Sequence, residues 1–135
     1  MINTLLSTLS LLTYVKAEIA ECRAFTNVFL MTFRTFTTAN RLFEMLLDRF
    51  HVKPPKSLTE SERKEWKLYL RLPVQQRVLE VFGIWLEENR MLEEEPHVSQ
   101  RLADFLGTIN SPTLLTTATA ITRTVERLVS RAVVF

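Results

Sequence analysis

Apolar residues recur every three or four positions along most of this chain, the spacing that lays a single stripe along an α-helix. Ile2, Leu5, Leu6, Leu9 and Leu12 begin the pattern, and Phe25, Val28, Phe29, Thr32, Phe33 and Phe36 continue it. In the second stretch, β-branched and aromatic content leaves a strand open while the period favours helix. Thr37-Thr38 comes next, and either hydroxyl can cap a helix whose buried face is Leu42, Phe43, Leu46, Leu47 and Phe50. Arg41, Glu44, Asp48 and Arg49 fall on its wet face. Pro54-Pro55 forbids continuation and marks a surface connection over positions 51–58.

Thr59 and Glu62 stand at capping-box spacing and open a polar helix through Trp66 and Leu70. Pro73 suits the first turn of the following helix, over about positions 73–92. Val74, Val78, Val81, Phe82, Trp85 and Leu86 form an unbroken stripe on it, opposite Gln75, Arg77, Glu80 and Glu87, so it is expected to be central. Glu93, Glu94, Glu95 and Pro96 break it. Val98, Leu102, Phe105, Leu106 and Ile109 mark a shorter helix ending near Asn110, and Ser111-Pro112 restarts the chain. The last segment runs to Phe135 with Leu114, Leu115, Ala118, Ile121, Val125, Leu128, Val129 and Ala132 at helical spacing, despite threonines that lower helix propensity. The expected fold class is all-α, a compact multi-helix orthogonal bundle of five to six helices.

Composition narrows this reading. The 135 residues are 47% apolar and 24% charged, enough to bury about two-thirds of the unfolded surface in one domain, 1–135, without metal or disulfide staples. Only Gly83 and Gly107 are glycines, too few for the turns of an all-β fold or for a phosphate-cradling loop. The net charge of +2 is too small to imply a nucleic-acid groove or a polybasic membrane patch. The lone Cys22 excludes an intramolecular disulfide and a cysteine zinc site, which points to a reducing compartment and the cytoplasm. Met1 to Leu12 lacks a basic leader, and no stretch approaches the roughly 20 apolar residues of a membrane span.

Candidate chemistry is sparse. His51 and His97 lie in or beside proline-containing connections without metal-ligand spacing, and read as surface histidines. Cys22, between Glu21 and Arg23, reads as a structural thiol. The run Glu93 to Glu95 sends its carboxylates in different directions and reads as a solvated helix end. No nucleophile elbow, P-loop or dinucleotide fingerprint occurs, so no enzyme, metal or cofactor is expected.

Phe29-Leu30-Met31-Thr32-Phe33-Arg34-Thr35-Phe36-Thr37-Thr38 closely resembles the FLxTxRxFTT signature of the amino-terminal domain of Ras-type guanine-nucleotide exchange factors, the Ras exchanger motif. The stretch Leu42 to Phe50 is similar to the helix that follows that signature. Pro54-Pro55, Leu58, Glu62, Trp66, the block Val74 to Leu79, and Trp85-Leu86 are similar to the family's second conserved stretch. Arg101 to Leu106 resembles its closing helix, so the resemblance covers nearly the whole chain. Asn3-Thr4-Leu5 stands where the family has Gly-Thr-Leu after an extended segment that is missing here, so that flank reads as truncated. Ala39 replaces a frequent proline, and positions 13–23 match nothing specific.

The resemblance implies a helical module without exchange chemistry of its own. In the family, a catalytic domain elsewhere in the polypeptide opens the nucleotide site of a Ras-like GTPase with a helical hairpin. The exchanger-motif domain packs on the base of that hairpin, and in some members it contributes to a distal GTPase-binding surface. The implied partners are therefore a catalytic domain in cis and, indirectly or through a distal site, a Ras-like small GTPase. Other parts of the polypeptide would supply any recruitment to the inner face of a membrane. Candidate contact residues are Phe29, Phe33, Arg34 and Phe36, each with a competing reading: core for the rings, a solvated arginine for Arg34. Leu30, Leu46, Trp66, Arg77, Val78 and Trp85 are expected to be packing residues of the family motifs. Val133, Val134 and Phe135 read as a cut through a longer helix. The alternative function is a free-standing α-helical adaptor that binds a GTPase or a partner helix directly; a catalytic protein of unrecognised type is the weakest of the three.

Overall fold

The structure is a computed structural model that describes residues 19–133. Helix α1 spans Ile19–Thr32 and tightens into a 3₁₀ turn, Phe33–Thr35. Helix α2 spans Ala39–Phe50, α3 Glu60–Trp66, α4 Leu72–Glu88, α5 Met91–Glu94, α6 Pro96–Leu106 and α7 Pro112–Val133. A π-helical turn, Lys67–Arg71, joins α3 to α4 without a break. The described residues thus form five long helical rods and one single-turn helix, with no strand, as the all-α expectation had it. The positions 2–12, together with Val134 and Phe135, lie outside the described residues. So do the side chains of Cys22, Ala132 and Val133.

The expected caps form. Thr38 Oγ1 accepts from the Arg41 backbone N–H at 3.2 Å and starts α2. Thr59 and Glu62 close a reciprocal capping box at 3.1 and 3.2 Å, satisfying two otherwise unpaired amides of α3. The threonines of α7 return hydrogen bonds: Thr122 and Thr124 donate to the carbonyls of Ala118 and Ala120, and Thr117 pairs with Gln76 of α4.

Helix α4 is the centre of the domain, packed against α1, α2, α5 and α7. Val78, Leu79, Val81, Phe82, Ile84, Trp85 and Leu86 are all buried on it, more than one face of the helix, because neighbours lie on several sides. Around it gather Leu30, Leu42, Phe43, Leu46, Met91 and Leu102, each almost wholly enclosed. Aromatic rings bridge the layers, with Phe43 against Phe82 at 5.2 Å and Phe50 perpendicular to Phe105 at 4.9 Å.

Pro73 occupies the first turn of α4, as the sequence predicts, but α4 continues from α3 and the π turn without a break, in one rod from Glu60 to Glu88. A proline ring inside an α-helix collides with the carbonyl four residues back, here that of Tyr69, and leaves that carbonyl without its amide. The π turn immediately upstream, in which the Leu72 N–H reaches Lys67 O, is the wider winding that accommodates it. Helix α4 also ends at Glu88, short of position 92. Asn89 donates its side-chain amide to Asn27 of α1 at 2.8 Å, and Arg90 adopts a left-handed conformation with φ 56°. That reversal turns the chain so that Met91 is fully buried.

Candidate interaction surface

The signature segment folds back on the core at the end of α1. Thr32 donates back to Val28 O within the last turn of α1, and Thr35 donates to Thr32 O, one of the carbonyls that the helix end leaves free. The 3₁₀ turn then points Phe33 inward, edge-on to Trp85, and Arg34 outward. Phe29 and Phe33 are buried within the domain's own core, the placement that the core reading of these rings expects. Phe36 is half-buried, with its ring 5.8 Å from that of Phe29.

Arg34 is accessible and engaged within the domain. Its guanidinium meets Glu94 Oε2 at 3.1 Å and Glu95 Oε1 at 3.0 Å, and lies 4.6 Å from the centroid of the Phe33 ring. The acidic run therefore holds two partners of Arg34, and is not merely a solvated end. Residues 60 positions apart in the chain carry no local signal of such pairing. The family-motif positions Leu30, Leu46, Val78 and Trp85 are buried, and Trp66 is half-buried on α3. Arg77 pairs with Glu80 one turn along its own helix at 2.8 Å and reaches Thr26 of α1 at 3.4 Å. Gln75 is buried and donates to the Phe50 carbonyl at 3.0 Å, fixing the end of α2 against α4.

The outer side of α1 is the feature that sequence reasoning missed. Phe25, Val28 and Met31 follow one another at three-residue intervals and are 41%, 61% and 71% exposed. The sequence expectation placed Phe25 and Val28 in the buried stripe with Phe29 and Phe33. The available signal was that α1 is apolar on more than one face, and one buried stripe leaves the second face without cover. Beneath it, the helix is anchored to α4: Arg23 meets Glu88 at 2.7 Å and Asn27 donates to the same carboxylate at 3.1 Å. The Arg23 hydrogen bond holds the Glu88 carboxyl below its ordinary range.

His51 and His97 are exposed, as expected. Among the described residues, no three His, Cys, Asp or Glu side chains gather as metal ligands would. None of the described helices is long and apolar enough to cross a membrane.

Similarity to known proteins accounts for this arrangement. The chain is 26% identical over 128 residues to the protein son of sevenless of Drosophila melanogaster, covering 76% of this chain and 8% of that protein. It is 32% identical over 65 residues to the cell division control protein 25 of Candida albicans, covering 48% of this chain and 5% of the relative. Over 66 residues it is 38% identical to the Ras guanine nucleotide exchange factor J of Dictyostelium discoideum, covering 47% of this chain and 7% of the relative. The chain thus spans less than a tenth of the length of these curated relatives. The family model of the RasGEF N-terminal motif matches residues 2–105, a span that holds the signature turn, the latch of α1 on α4 and the whole central helix. The chain belongs to the RasGEF N-terminal motif family.

Proposed function

We propose that this domain is a noncatalytic regulatory module of a Ras-family guanine-nucleotide exchange factor, which packs in cis on a catalytic exchange domain and stabilises that domain's helical hairpin. The observation that carries this reading is the row Phe25, Val28 and Met31, exposed on the helix that bears the family signature. An apolar row on a helix that is itself pinned to a rigid core offers a partner a preformed surface. A surface that meets only the productive pose of the hairpin shifts its population by the difference in binding free energy between poses. No reacting group is needed on this chain for that. The GTPase is then an indirect partner, or a direct one at a distal surface, and the site of action is cytoplasmic.

The test is release of a fluorescent nucleotide from a panel of Ras-like GTPases, with a catalytic exchange region alone and with this segment joined to it. Faster release with the segment present is the expected result and identifies the GTPase. Equal rates with a folded segment would overturn the reading and leave the free-standing adaptor.

A further inference from the structure

Where the π turn meets the start of α7, the surface opens into a cleft of about 360 Å³. Its polar rim is formed by His51, Lys67, Arg71, Thr108, Asn110 and Ser111, and Phe50 and Leu72 contribute to its apolar wall. No aspartate or glutamate is among the described residues that line it. Lys67 and Arg71 stand four residues apart on the widened turn, so both cations face the same side of the rod. The His51 ring is set edge-on against Phe50 and Phe105, at 5.2 and 6.0 Å, which fixes its position at the rim.

Arg71 stands apart from the other described arginines in that its Nε is closed off from solvent without an acceptor. A buried donor of a charged group left unpaired is costly, and proteins retain few of them without a use. Ser111 and Asn110 add neutral donors across the cleft, while the Thr108 hydroxyl is committed to the Phe105 carbonyl at 2.6 Å, and the positive end of α7 begins beside Ser111 at Pro112.

We propose that this cleft binds a phosphate group, held by Arg71 and Lys67 and completed by the hydroxyl and amide donors of the α7 side. Several converging donors suit a tetrahedral dianion, which has an acceptor for each, better than a planar carboxylate. The phosphate belongs either to a soluble phosphorylated molecule or to a lipid headgroup. Leu68, Tyr69 and Leu70, on the same π turn, are 56%, 70% and 58% exposed and form an apolar knob beside the cleft that would meet a bilayer interface. This inference does not depend on packing against a catalytic domain.

The test is titration of the complete 135-residue chain with inorganic phosphate and with inositol trisphosphate, followed by calorimetry and amide shifts, and co-sedimentation with phosphatidylcholine vesicles doped with a phosphoinositide. Arg71→Gln is expected to weaken binding about tenfold, the loss of one charge-assisted pair, with melting unchanged. Lys56→Gln, an exposed cation outside the cleft, should leave binding as it is. Should Arg71→Gln fold poorly, Lys67→Gln and Arg71→Lys take its place. Leu68→Ser weakening only the vesicle interaction assigns the phosphate to a lipid, and equal loss of none assigns it to a soluble ligand. Absence of binding to all three probes, or the same loss for Lys56→Gln as for Arg71→Gln, overturns the site.

Discussion

The ring of Phe33 stands edge-on to that of Trp85, centroids 5.4 Å apart and planes at 73°, with neither side chain exposed to solvent. One residue belongs to the signature turn and the other to the central helix, so this contact ties the two motif regions of the chain into a single core.

Phe33→Ala and Trp85→Ala should each destabilise the domain by about 3–5 kcal/mol, the loss typical of a buried ring that leaves a cavity. Chemical denaturation followed by circular dichroism measures it. Trp85→Phe should cost less than Trp85→Ala, because it keeps most of the packing while both variants remove the buried indole N–H, which has no acceptor. Equal losses for the two Trp85 variants would show that a ring retained at this position contributes no packing.

The Arg34 pairs are partly exposed, so their worth is small and screened by salt. A double-mutant cycle on Arg34→Ala and Glu95→Ala should give a coupling of about 0.5–1 kcal/mol at low ionic strength, shrinking as salt is added. A coupling that salt leaves untouched would contradict the exposure of the pair.

Glu88 and Glu62 both have carboxyls held below the ordinary glutamate value of 4.5, Glu88 chiefly by the Arg23 hydrogen bond and Glu62 chiefly by that from the Thr59 backbone amide. A carboxyl depressed in the folded state binds fewer protons there than in the unfolded chain, so stability falls as acid is added. The contribution is complete above the ordinary carboxylate range and is lost as pH drops through the folded values. Melting temperature should decline on acidification below that range, and Glu88→Gln should flatten the decline while lowering stability near neutrality. An unchanged slope in Glu88→Gln would disprove the Arg23 assignment.

Val28→Ser and Met31→Ser remove exposed apolar surface, and should alter the melting of the domain by no more than about 0.5 kcal/mol. Joined to a catalytic region, the same pair should abolish any acceleration of nucleotide release that the wild-type domain provides. Full acceleration by the double variant would place the contact elsewhere on the domain.

Much of this was readable in the chain because the information is local. The three-four spacing in positions 74–86 and the Thr59–Glu62 capping box each lie within one element, and each was found where the residues predicted it. Failures came where two elements decide together. Pro73 marks the first turn of α4 but gives no sign of the π turn that joins it to α3, and Glu94 and Glu95 read as solvent-facing until the signature turn brings Arg34 over them. Phe25 and Phe29 share one period, and only the position of α4 decides which ring is covered. Arg71 gave no signal, since its peculiarity is the lack of an acceptor in folded surroundings.

The continuity of the rod from Glu60 to Glu88 has a mechanical consequence. Its second half is embedded among the rings of the core, while α3 and the π turn bury no residue at all. At about 1.5 Å per residue, those first twelve positions extend the rod by roughly 18 Å without a loop between them and the core half. A force or a tether applied at Leu68 to Leu70 would therefore be delivered along one continuous helix to Phe82 and Trp85.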